Sequence, residues 1–188
     1  MNYQDQVVVL TGASGGIGSA MAKKFTDLGA KVALLDITVD RVQALADKLG
    51  LGRDRAFCAA VDVSNEESVK ATVDAIVKHF GRIDVLINAA GIPGPSARVE
   101  DYSFSDAKKV LSVNLFGTFL MMHTVLPVMQ AQHGIVIIEQ QAVGEALLPQ
   151  PCMGTLACSA LSHEEISAAR KHHCRCVQRD GPVRQNGL

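Results

Sequence analysis

Tryptophan is absent from this 188-residue chain, tyrosine occurs only at positions 3 and 102, and aromatic residues make up just 4%. Any chemistry that needs a phenol hydroxyl is therefore confined to Tyr3 or Tyr102. Charge of one sign is lacking as well: 18 Lys and Arg stand against 19 Asp and Glu, a net charge of −1. Binding a polyanion needs a basic excess for its phosphate contacts, so no nucleic-acid partner is expected. No apolar run approaches the length of a membrane span, and Met1 to Gln6 lacks the basic-then-apolar order of a secretory signal. No membrane partner is expected, and a cytoplasmic location is. The five cysteines are an odd set, with Cys58 alone and Cys152, Cys158, Cys174 and Cys176 crowded near the end, which reads as reduced thiols rather than a disulfide framework.

What is present is apolar content, 48% of the chain, enough to offset the ordering entropy of about one domain. It is organised in short continuous runs separated by helical patterns. Expected strands cover Gln6–Leu10, Val32–Leu35, Ala56–Val61, Ile83–Ile87 and Ile135–Ile138. Between them lie a helix through Ile17, Met21, Phe25 and Leu28 that stops at Gly29, and a helix from about Thr38 to Leu49. A third helix starts at the capping-box pattern Ser64-Asn65-Glu66-Glu67 and ends at Gly81. After a loop rich in Gly, Pro and Ser, a long helix runs to about Gln130. Unalternating Val, Ile and Leu strands alternating with helices predict an α/β fold, a Rossmann-like doubly wound parallel sheet of strand order 3-2-1-4-5.

The first strand-to-helix turn, Thr11-Gly12-Ala13-Ser14-Gly15-Gly16-Ile17-Gly18, has the composition of a dinucleotide site. Gly12 permits the tight turn, Gly16 lets backbone approach a pyrophosphate, and Gly18 lets helix pack on sheet; the helix N-terminus supplies free N–H groups. Ser14 and Ile17 belong to the same turn and are counted as cofactor contacts. Asp36 ends the second strand, where a carboxylate can accept ribose hydroxyls and repel a 2′-phosphate, and no Arg or Lys stands at 13–15 or 37–38. NAD is thus favoured over NADP, with helix capping the alternative role for Asp36.

These residues, with Asp62-Val63-Ser64, Asn88-Ala89-Ala90-Gly91 and Ser112-Val113-Asn114, resemble the short-chain dehydrogenase/reductase family in order and spacing over about residues 5–138. The resemblance implies NAD-dependent hydride transfer between a small secondary alcohol and a ketone. It implies that Asp62 meets the adenine amino group, Val63 lies near the ring, and Asn88, Ala89 and Gly91 shape the cofactor wall. Asn114 is implied as the catalytic contributor that bends its helix and holds a water of the proton relay. The bland alternatives are turn-forming for Asp62, a strand-ending turn for Asn88 to Gly91, and self-satisfaction by helix backbone for Asn114. Pairing through the long helix, giving a homo-oligomer, is implied as well.

The family's Ser, Tyr and Lys of the relay are missing. Aligning the fifth strand puts Gln140, Met153 and Ala157 at their positions, and with no Lys between 109 and 171 no Tyr-x-x-x-Lys can be written after the fourth strand. Met cannot transfer a proton and Ala carries no charge, so catalysis is expected to be impaired or absent. Residues 1–150 carry a balance of −3 and residues 151–188 one of +2, which divides the chain into an NAD-binding domain and a divergent carboxy-terminal helix and tail. The family's last strands are expected to be lacking. His172, His173, Cys174 and Cys176 are competent metal ligands, but adjacent His-His and Cys-x-Cys depart from structural-zinc spacing, so no metal site is assigned. Two alternatives stay open: a non-catalytic NAD-binding or interaction protein, and a truncated or frame-shifted product of a dehydrogenase gene.

Overall fold

A computed structural model describes residues 3–132 and 137–139. The segment 151–188, with the His172–Cys176 cluster, Met153 and Ala157, lies outside the described residues, as does Gln140. The strands are β1 (Val7–Thr11), β2 (Lys31–Asp36), β3 (Ala56–Ala60), β4 (Val85–Asn88) and β5 (Ile137–Glu139). They form one parallel sheet in the order β3-β2-β1-β4-β5, the expected order. The helices are α1 (Gly16–Asp27), α2 (Val39–Lys48), α3 (Glu66–Phe80), α4 (Phe104–Leu111) and α5 (Thr118–Ala131), with a 3-10 turn at Val99–Asp101.

Both faces of the sheet are covered, which explains why its strands read as unbroken apolar runs. Val8, Leu10, Val32, Leu34, Val85 and Ile87 pack with Ala22 and Phe25 of α1 and Val42 and Ala46 of α2. The alternate residues Val7, Val9, Ala33, Leu35 and Leu86 pack on the other side with Val69, Val73 and Ile76 of α3 and Met121, Val125 and Met129 of α5. The strands β1 to β4 therefore serve two cores through their two-residue period.

Three local expectations shift. α3 is capped by Asn65, whose Oδ1 accepts the Ser68 N–H at 2.8 Å, rather than by Ser64. Ser64 is taken by the preceding residues: its N–H and Oγ–H both donate to Asp62 Oδ1, at 2.9 and 2.6 Å. β4 begins at Val85, because Ile83 N–H turns to Gln132 Oε1 while Asp84 accepts the Val7 N–H at 2.7 Å. The long helix runs unbroken from Phe104 to Ala131, but its middle, Ser112–Gly117, winds as a wider π-turn.

That 28-residue helix is long and apolar enough to cross a membrane by length and composition, with a mean hydropathy of 1.5 in its most apolar window. The expectation that no apolar run approaches such a length is corrected here. One face of the helix, Met121, Val125 and Met129, is fully buried under the sheet, whereas Phe104, Leu111, Leu115, Phe116 and Phe119 are exposed.

Candidate functional site

At the carboxyl ends of the strands, where the chain's path reverses between β1 and β4, lies a cleft of about 650 Å³. Four loops and one helix wall it. The turn after β1 supplies Gly12, Ser14 and Gly15; the end of β2 and the start of α2 supply Asp36, Ile37 and Arg41. Val61 to Ser64 follow β3, Ala89 to Ile92 follow β4, and Lys109, Ser112 and Val113 come from α4 and the π-turn.

Three glycines of the first turn face different constraints. Gly12 has φ +62°, and a Cβ there would stand 2.6 Å from the Ala89 carbonyl oxygen and 2.7 Å from Ala90 N. Thr11 causes that crowding: its Oγ1 accepts the N–H groups of both Ala89 and Ala90 at 3.2 Å and so draws the β4 loop over Gly12. Gly18 is pressed against Gly12 O and Ala13 Cα, so its missing side chain lets α1 pack on the turn rather than on the sheet as expected. A Cβ on Gly16 would meet nothing within 4 Å. Gly12 and Gly18 are demanded by the protein's own packing, whereas Gly16 keeps open a space that the protein leaves empty. Gly15, the N-cap of α1, provides no side-chain cap, so the first-turn amides of Gly16, Ile17 and Gly18 remain available to an anion. Ile17 itself is exposed.

Asp36 is clamped. Its Oδ2 accepts the Ser14 N–H at 3.0 Å and the Ser14 hydroxyl at 2.7 Å, while Oδ1 accepts the Ile37 N–H at 2.8 Å. It does not cap α2, whose N-cap is Thr38 without a side-chain bond. Three donors orient the carboxylate, which lines the cleft and keeps one of its roughly four acceptor sites, on Oδ1. Asp62 accepts from Ser64 through Oδ1 alone, and Val63 is buried beside it in the wall.

Asn88 lies beneath the cleft at the end of β4, only 4% exposed, and neither its Oδ1 nor its Nδ2 has a hydrogen-bond partner among the described residues. Asn114 is not satisfied by its own helix. Its Oδ1 accepts the Ile92 N–H at 2.9 Å and its Nδ2 donates to Ile92 O at 3.0 Å, fastening the β4 loop to the π-turn. The Asn114 side chain thus holds Ile92 through one donor and one acceptor, keeping a second N–H and a second Oδ1 lone pair, and its backbone carbonyl accepts from Thr118 Oγ1 at 3.0 Å.

Of the residues expected from sequence, Gly12, Ser14, Asp36, Asp62, Val63, Ala89 and Gly91 line the cleft, Gly16, Ile17 and Gly18 form the adjoining helix start, and Asn88 and Asn114 stand behind the wall. Arg41, Lys109 and Ser112 were not expected. Lys109, Ser112 and Val113 stand at i, i+3 and i+4, a spacing that puts them on one helical face just ahead of Asn114 and would have placed them. Arg41 and Lys109 have no ion-pair partner among the described residues.

The family model for short chain dehydrogenase matches residues 6–155, and the chain belongs to that family. The match continues past the expected limit near Ile138. The chain is 41% identical over 120 residues to D-threitol dehydrogenase of Mycolicibacterium smegmatis, covering 64% of this chain and 46% of that protein. It is 36% identical over 144 residues to levodione reductase of Leifsonia aquatica, covering 76% and 54%. Among solved structures it is similar to an NAD+-bound xylitol dehydrogenase, with a TM-score of 0.69 and 34% identity over 74% of this chain and 54% of that one. The chain spans about half the length of these relatives.

Proposed function

We propose that this chain is the nicotinamide-dinucleotide-binding part of a short-chain oxidoreductase, that it binds NAD, and that as it stands it turns over little or no substrate. One observation carries the reading: loops from four successive strands converge on a cleft whose β1 side joins uncapped helix-start amides to a clamped carboxylate. The residues present fit the cofactor: among the described residues no atom stands within 4 Å of a Cβ built at Gly16, and the buried amide of Asn88 has no hydrogen-bond partner. When bound, the nicotinamide supplies the site that accepts or releases hydride. The amides of Gly16, Ile17 and Gly18 hold the pyrophosphate, and Asp36 receives the ribose hydroxyls. Asp62 and Val63 bound the adenine end, with Ala89 and Gly91 on the facing wall. Asp36 disfavours a 2′-phosphate; Arg41 on the same wall is the group that opposes that preference.

Asn114 contributes to the site by fixing Ile92, and its remaining N–H and lone pair are the groups that would hold a water. With Gln140, Met153 and Ala157 at the relay positions, no acid/base pair is available to a small alcohol or ketone. The exposed apolar face at Leu115, Phe116 and Phe119 supports a second copy as partner, which light scattering of Phe116→Asp would check by loss of the dimer mass.

Titration with NADH, followed by nicotinamide fluorescence, is expected to saturate, while NAD and a panel of secondary alcohols give no turnover. Turnover at about 1–10³ per second would overturn the loss of catalysis. A failure to bind NADH would overturn the cofactor reading itself.

A further inference from the structure

The π-turn between α4 and α5 makes two contacts with the cleft wall, and only one of them involves Asn114. The other is Gly117. A Cβ at Gly117 would stand 2.6 Å from Val63 Cγ2, 3.0 Å from Val63 Cβ and 3.3 Å from the Val63 carbonyl oxygen. Val63 is buried and branched at Cβ, so it cannot swing aside at little cost, and any displacement is passed to Asp62, its neighbour in the same wall. A π-turn winds fewer degrees per residue than an α-helix, which widens the angle between Asn114 and Gly117. That lets Asn114 reach Ile92 on one wall while Gly117 receives Val63 from the other.

We propose that Gly117 is a positioning residue for the adenine end of the cleft, and that the π-turn sets the width of the slot between the loops that follow β3 and β4. The proposal rests on the nucleotide reading above. Gly117 touches no ligand itself; it fixes where Val63 stands, and a side chain at 117 drives Val63 into the space meant for an adenine ring.

The test is a double-mutant cycle on the full chain, with AMP and NADH as probes and a thermal melt on every variant. Gly117→Ala is expected to weaken both ligands by the same factor, about tenfold or more, because the defect lies at the end they share. Val63→Ala weakens binding by itself, but in that background Gly117→Ala is expected to cost clearly less than in the wild type, since the 2.6 Å overlap with the Cγ2 methyl is gone and only the 3.0 and 3.3 Å contacts with the Cβ and carbonyl oxygen of residue 63 remain. If Gly117→Ala does not fold, the double variant is expected to regain a cooperative melt. Wild-type affinity in Gly117→Ala overturns the assignment, as does an undiminished loss in the Val63→Ala background or a double variant that also fails to fold. A wild-type chain that binds neither probe sinks the nucleotide reading, whereas one that binds both while Gly117→Ala matches it sinks this assignment alone.

Discussion

The two sides of the cleft are built by different means. On the β1 side the walls are shaped by neighbours in sequence: Gly12, Ser14, Gly16 and Gly18 fall within seven residues, and Ser14 reaches Asp36 across one strand pair. On the α4–α5 side the walls are shaped by distant residues, Asn114 on Ile92 and Gly117 under Val63, brought together by a helix that changes its winding. The first is a motif, and the second is a packing solution that leaves no compact motif in the chain.

The contrast is sharpest within the β1 turn itself. Gly12→Ala places a methyl against the Ala89 carbonyl at a positive φ, and is expected to cost well over 1 kcal/mol in stability and to abolish NADH binding. Gly16→Ala is expected to leave the denaturation midpoint unchanged or slightly raised while losing NADH just as fully. Equal loss of stability in the two variants, measured by urea unfolding, would erase the distinction between a glycine the fold needs and one the ligand needs.

Next in size, Asn114→Ala strands the Ile92 N–H and carbonyl and is expected to destabilise by about 1–3 kcal/mol. Asn114→Asp keeps the acceptor and loses the donor, so it should fall between. An unchanged midpoint in Asn114→Ala would mean that the α4–α5 side does not hold the β4 loop.

Ser14→Ala has the smallest expected effect, since the backbone N–H at position 14 still reaches Asp36. Loss of the 2.7 Å hydroxyl bond frees the carboxylate to turn, and the preference for NADH over NADPH should fall about tenfold. A ratio that does not move, by fluorescence titration of both nucleotides, would mean that the Ser14 hydroxyl does not hold Asp36 for the discrimination.

The sheet order was readable because buried parallel strands announce themselves as apolar runs, and the glycine turn because its constraints are local. Asn114 was readable as a residue of consequence, but its tie to Ile92 was not, since that partner is 22 residues away and is met through backbone. The α3 cap moved from Ser64 to Asn65 because Asp62 competes for the Ser64 donors, a local contest that the capping pattern does not encode. Arg41 and Lys109 belong to no motif in the sequence, and only the fold brings them to the cleft.

The open space at Gly16 also bears on descent. Gly12 and Gly18 are held by the protein's own backbone, so a lineage that had ceased to use nucleotide would still retain them for the sake of the fold. Position 16 has no such protection. Mutation there is free once the ligand no longer matters, so the residue found at 16 in related chains tells whether nucleotide binding is still under selection in them.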